Sequence, residues 1–226
     1  MNFKYTTEVY YMNQHALKVK AFLLTFLFAG VLFAKAEKYS VDQEHTTIGF
    51  KIKHFGISSV TGKFKKYDVD LQWDTTDPLK STVTATIDTK SIDTGIDKRD
   101  NHLRSDDFFK TEKFPTMTFK GKKVMKVKCS KEQKDEEYTT CYNVMGDLTL
   151  LSTTKEVTLN VGAQHIEDEW KNKRLGVSAT TKINREDFGM KLTEGFLSKA
   201  VGKQVTITIN LEAVKKPDAE KVPEKK

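Results

Sequence analysis

Arg99, Asp100, His102, Arg104, Ser105, Asp106 and Asp107 crowd into one short stretch of the run SIDTGIDKRDNHLRSDDFFKTEKFPTMTF, Ser91 to Phe119. An acid, an imidazole and a hydroxyl are the parts of general-base and nucleophilic catalysis. Their spacing does not assemble them. Asp100 and His102 are two residues apart and fall on different faces of a helix, whereas Arg99 and Leu103 share one. Ser105 is available as a nucleophile, but the chain has no G-x-S-x-G elbow to present it. Two other readings use the same residues. In one, Arg99 and Asp100 tie a helical segment to neighbouring backbone, and Asp106 or Asp107 caps a turn. In the other, Arg99 or His102 meets a phosphate or carboxylate of a ligand. So many charges cannot be buried without partners, which places the run at a rim, a lid or an active site.

Other candidate groups are scattered. His54 follows Ile48, Phe50 and Ile52 in phase and points to the same face, as a ligand contact or a hydrogen-bonded structural residue. His45, in Asp42-x-x-His45-Thr46, reads as a turn, because no second ligand stands at metal-binding spacing. Arg185, Asp187 and Gly189 in NREDFGM read as a corner whose side chains bond backbone. No metal and no cofactor are expected.

The elements that must position these groups are strands. Ile48, Phe50 and Ile52 alternate with polar residues, and the same period of two runs through Tyr67, Val69, Leu71, Trp73, through Val83, Ala85, Ile87, and through Met117, Phe119. It continues in Leu148, Leu150, in Val157, Leu159, Val161, in Leu175, Val177, Ala179, and in Val205, Ile207, Ile209, Leu211. Strands with one apolar and one Thr/Lys-rich face are antiparallel and solvated on one side. Asp77-Pro78 and the glycines at 62, 146, 162 and 202 are read as turn signals between them. About eight strands and one helical interruption near residues 97–105 predict an all-β closed barrel or a sandwich. An eight-stranded barrel is just wide enough either to fill with its own side chains or to hold one ligand, and the periodicity allows both.

The first 36 residues stand apart. Lys18 and Lys20 precede an apolar run from Ala21 to Ala34, and Ala34-Lys35-Ala36 matches a signal-peptidase site. The run is shorter than the ~20 residues a membrane span needs, so an integral membrane protein is not expected. Met12 is an alternative start, which would make residues 1–11 a mis-called extension. The expected organisation is a leader over 1–36, a barrel over 37–214 and a charged flexible tail over 215–226, in a periplasmic or secreted protein. The leader takes four Lys and one Glu from totals of 38 basic and 31 acidic residues, leaving a net charge of only +4. Lys alternates with acids throughout, which argues against a nucleic-acid partner. Cys129 and Cys141 flank SKEQKDEEYTT, and in an oxidising compartment they are expected to pair across a hairpin. Neither a CxxC spacing nor a neighbouring His supports a redox or metal pair.

Five ordered motifs resemble one family: VDQEHTTIGFKIKHFGISSVTGKF (41–64), SIDTGIDKRDNHLRSDDFF (91–109), FPTMTF (114–119), GDLTL (146–150) and NREDFGM (184–190). The chain resembles the YceI-like family of periplasmic polyisoprenoid-binding proteins over essentially all of Tyr39 to Ala213. The resemblance implies a lipocalin-like, eight-stranded antiparallel β-barrel with a helix, carrying an isoprenoid or fatty-acid-like lipid and doing no catalysis; a homodimer is one assembly it allows. It turns the open question of core against cavity toward a cavity. Its expected lipid contacts are Phe50, Ile52, His54, Tyr67, Val69, Leu71, Ile87, Arg99, His102, Met117, Phe119, Leu148, Leu159, Val177, Ile207 and Ile209. The alternatives are a lipid-modifying enzyme using His54 or His102, and an exported interaction protein with a filled barrel. Where the family pattern reads L-T-[IL]-H-G-V-T-[KR]-P-V, this chain has LTLLSTTKEV (148–157), so a role for that histidine cannot operate here. The Cys129–Cys141 segment also departs from the family pattern.

Overall fold

The structure is a computed structural model that describes residues 36–136, 138–192 and 195–215. Ten strands occur in the order β1 (Glu37–His54), β2 (Ser58–Phe64), β3 (Tyr67–Trp73), β4 (Thr82–Asp88), β5 (Ile92–Asp93), β6 (Thr116–Val127), β7 (Thr140–Leu150), β8 (Thr153–Glu167), β9 (Lys173–Asn184) and β10 (Val201–Lys215). Three short helices join them: α1 (Asp97–Arg104), α2 (Lys131–Asp135) and α3 (Phe196–Ala200). Eight of the strands close into an antiparallel barrel, running from β1 through β10, β9, β8, β7, β6, β4 and β3 back to β1. These eight are the strands that the alternation marks. The sequence is therefore a barrel rather than a sandwich.

β1 makes the closure possible because it has 18 residues and can serve several neighbours. Along one edge it pairs with β10, and along the other its start pairs with the end of β3 while its second half pairs with β2. The register against β10 shifts between Asp42 and Thr47, where Asp42 Oδ1 accepts the amides of Glu44 and His45 and bends the strand. At the end where β1 starts, the Glu37 carboxylate accepts from Lys173 of β9 and Lys215 of β10, at 3.0 and 2.6 Å.

Gly62, Gly146, Gly162 and Gly202 do not separate strands; each lies inside one. At Gly62, Gly146 and Gly162 the reason is close approach by an aromatic ring, and at Gly202 it is close approach of the Lys53 backbone. A Cβ at Gly146 would stand 2.6 Å from the Phe119 ring, and one at Gly62 would stand 2.5 Å from the Phe50 ring. Asp77-Pro78 does open a turn, where Asp77 caps a single 3-10 turn over Pro78–Lys80. Residues 1–35 of the expected leader and the tail beyond Lys215 lie outside the described residues. Among the described residues no helix is long and apolar enough to cross a membrane.

Cys129 and Cys141 form a disulfide, and the loop they close carries α2, whose Ser130 and Gln133 make a reciprocal capping box. The β1–β2 turn is built on Phe55 and Gly56, both at positive φ (48° and 71°), with the Ile57 amide donating to the His54 carbonyl. This is a type I′ pattern, whose first position favours Asn because a Cβ is crowded there.

Replacing both cysteines by serine should lower stability by about 3 kcal/mol, through the freed 12-residue separation of the unfolded chain, as read from urea midpoints. Phe55→Asn sets relief of about 1 kcal/mol of backbone crowding against loss of a half-exposed ring, and should leave the midpoint unchanged or raised. A fall of more than about 1 kcal/mol would mean that the ring is kept for stability.

Candidate functional site

The inward faces of the eight barrel strands surround a cavity of about 250 Å³. Every inward residue of the alternating pattern reaches its wall except Tyr67 and, at the end of β1, His54, and the few polar lining residues are Ser81, Thr82, Thr181 and Arg185. The wall extends from Val201 to Leu211 along β10, which is roughly 33 Å at the rise of a strand. Small and large residues share it: Ala85 and Ala179 face in beside Phe50 and Phe119. The last two rings lie against Gly62 and Gly146, so they cover strand backbone instead of filling the centre.

One side of this cavity is closed by α1 and the segment that follows it. Leu103, Phe108 and Phe109 reach the lining, and Phe109 meets Phe64 edge-on with ring centroids 5.7 Å apart. The polar residues around them fasten backbone. Asp100, only 4% exposed, accepts from the Thr94 amide at 2.9 Å and from its hydroxyl at 2.5 Å. Arg99 donates to the Thr94 hydroxyl and carbonyl, and Arg104 to the carbonyls of Lys90 and Ile92. Neither Asp106 nor Asp107 caps a turn: Asp107 holds the exposed His102 ring at 2.8 Å, and Asp106 faces Lys113. The Ser105 hydroxyl donates to the His102 carbonyl, so hydroxyl and imidazole do not form a nucleophile–base pair.

Twelve of the sixteen expected contacts therefore stand on the cavity wall: Phe50, Ile52, Val69, Leu71, Ile87, Met117, Phe119, Leu148, Leu159, Val177, Ile207 and Ile209. Four stand off it. Arg99 and His102 are engaged as described, and Tyr67 turns its hydroxyl to the Thr46 carbonyl at 2.9 Å. His54 lies at the β1–β2 turn with its ring against Phe55.

Lining residues that the sequence did not single out divide into two kinds. Tyr142, Val144, Thr181 and Ile183 continue the phase of β7 and β9, and a longer reading of the alternation would have found them. Val201 keeps the phase of β10 but is cut off from Val205 by the exposed Lys203, and Met190 carries no periodic signal. Arg185 is 2% exposed and is the charged group on the wall. Its guanidinium donates to the carbonyls of Gly202, Met190 and Val201 at 3.0, 2.5 and 3.3 Å, which fixes the corner after β9. Burial pulls its pKa down, and Glu186 opposes that shift. Near the opposite end, the Trp73 indole nitrogen and the Tyr39 hydroxyl are buried without a hydrogen-bond partner among the described residues. Burial raises the Tyr39 phenol pKa.

The strands also join what sequence spacing kept apart. Asp42, His45 and Glu212 bring one ligand atom each within 4.8 Å of one another, outside the cavity. Glu212 is already held by Arg174 at 2.5 Å, and Asp42 by His45 at 2.9 Å, so the group is satisfied as an ion-pair network.

A YceI-like domain matches residues 39–213 of the chain. The chain belongs to the YceI-like family. It is 37% identical to protein YceI of Escherichia coli O6:H1 over 205 residues, 87% of this chain and 98% of that relative. A crystal structure of a Campylobacter jejuni YceI protein superposes with a TM-score of 0.62 at 31% identity, over 80% of this chain and 99% of that one. A Saccharophagus degradans domain described as polyisoprenoid binding shares the fold, with a TM-score of 0.55 at 16% identity over 79% of this chain and 98% of that one. In this YceI-like chain the turn after β7 is made at Leu151. Leu151 sits at φ 54° and is buried in the core, so the turn is anchored by an apolar side chain.

Arg185→Met should destabilise the barrel by about 3 kcal/mol, because one buried and two part-buried carbonyls lose their donor. Urea denaturation measures it. A loss below about 1 kcal/mol would mean that these carbonyls find other partners.

Proposed function

We propose that this protein is a periplasmic carrier that holds a long-chain amphiphilic lipid, a polyisoprenoid or fatty-acid derivative, inside the barrel without chemically changing it. The observation that carries this reading is the continuous apolar wall around the cavity. Each buried CH₂ contributes about 0.8 kcal/mol, so about 20 carbons give a gross gain near 16 kcal/mol before association and ordering costs. The twelve wall residues named above are the proposed lipid contacts. Trp73 adds a buried N–H that an oxygen of the ligand can accept from. Arg99 and His102 serve the reading indirectly, by holding α1 and Phe108 in place beside the chain. The family model and the polyisoprenoid-binding fold relative support the ligand class. Export is supported by the Lys18 to Ala36 leader pattern and by the disulfide, which suits an oxidising compartment.

Ala179 faces the cavity from β9, opposite Ile209 of β10 and Val161 of β8. Ala179→Phe should fill the space that the lipid occupies. The expected result is an unchanged fold by circular dichroism and a fall of about tenfold or more in lipid recovered by solvent extraction and mass spectrometry. Val177→Phe, at a half-buried wall position, repeats the test where overpacking is milder. Full lipid recovery from both folded variants would overturn the carrier reading.

A further inference from the structure

We propose that the β1–β2 hairpin tip is a membrane-docking element, which inserts Phe55 and Ile57 into the interface of an anionic bilayer and brings one end of the cavity wall to the lipid surface. Ile57 is 88% exposed and Phe55 44%, on either side of Gly56 in a turn of four residues. The Phe55 ring meets the His54 ring edge-on, 4.6 Å between centroids, while Ile57 is left almost wholly to solvent. Phe55 occupies the positive-φ position that a type I′ turn reserves for Asn, so the chain accepts crowding to display an aromatic ring. The strands behind the tip are cavity wall: Ile52 of β1 and Val201 and Val205 of β10 line it, and the Phe55 amide donates to the Ala200 carbonyl next to Val201.

Charge chooses the partner. Lys51 and Lys53 face outward on β1 beside the tip, Lys199 lies next to Ala200, and among the described residues none of the three makes an ion pair. Lys203 adds a fourth amine, held by Glu186; Asp187 is exposed at the corner after β9, and the 89–115 segment at the same end of the barrel carries exposed Asp97, Asp106, Asp107 and Glu112, the last three facing Lys113, His102 and Lys90. An apolar tip flanked by Lys51, Lys53 and Lys199 matches an anionic bilayer, where each amine near the surface strengthens binding about fivefold. Another exposed hairpin, β8–β9, carries Trp170 and Ile166, but its cations Lys171 and Arg174 are held by Glu167 and Asp168 and Glu169 is exposed beside them, so it offers an anionic surface no unpaired amine. The proposal rests on the carrier reading for its purpose, delivery and uptake of lipid, but not for the docking itself.

The test compares vesicles of phosphatidylcholine alone with vesicles that also contain phosphatidylglycerol. Sedimentation reads binding, and hydrogen exchange reads the amides of residues 54–58. Expected are salt-sensitive binding to the anionic vesicles and slowed exchange at the tip. Phe55→Asn combined with Ile57→Ser should weaken binding about tenfold or more and abolish the local protection, with lipid content of the barrel unchanged. Tip exchange untouched by anionic vesicles, equal binding by the double variant, or protection only on adding envelope proteins would overturn the proposal. An empty barrel with a protected tip would defeat the carrier reading and leave docking standing.

Discussion

A sheet with one apolar face can hide that face from water by curling until its first and last strands meet, and every other feature of this protein depends on that closure. Here the meeting is made by β1 and β10, the first and last strands. Its 18 residues let β1 pair with β10 on one edge and with β3 and β2 in succession on the other. Closure pairs each strand of the ring on both sides and leaves the sheet's free edge on β2, whose far side meets only the two-residue β5. It also converts eight separate apolar stripes into one enclosed surface.

Enclosure alone would give a filled core. Two kinds of local choice keep a space instead. Large rings are laid on glycine backbone, Phe50 over Gly62 and Phe119 over Gly146, and small residues such as Ala85 and Ala179 stand where bulk would meet at the centre. The open side is then covered by α1 and Phe108 and Phe109, whose charged neighbours bond backbone carbonyls and the Thr94 hydroxyl. Polar density here is a fastening device. At the corner after β9 a single buried arginine performs the same task with three carbonyls.

The fold was largely legible because its signal is local and repeated. Alternation names which side chains of β3, β4, β9 and β10 face inward, and the structure agrees; Tyr67 packs on the inner cluster of Ile48, Phe64 and Ile87 but stands off the cavity wall, with its hydroxyl on the Thr46 carbonyl. The glycines misled for a physical reason: a close ring and a tight turn both demand the missing Cβ, and only the neighbour distinguishes them. The long reach of β1 was hidden because residues 40–47 break phase at the bulge. The site was legible as a surface and not as a set of polar contacts. Arg99 and His102 carry the right chemistry for a head group, yet Thr94 and Asp107 already hold them. The grouping of Asp42 and His45 with Glu212 could not be read from spacing, since the third member arrives from the last strand.

The central claim is that the closed barrel keeps its space for a lipid chain. Native mass spectrometry of the protein purified from its own host tests this most directly, followed by denaturation and identification of what is released. The account predicts a bound mass that disappears on denaturation and is recovered as one long-chain amphiphile per barrel. A protein that arrives empty, and takes up neither a polyisoprenoid nor a fatty-acid derivative when offered them, would contradict it.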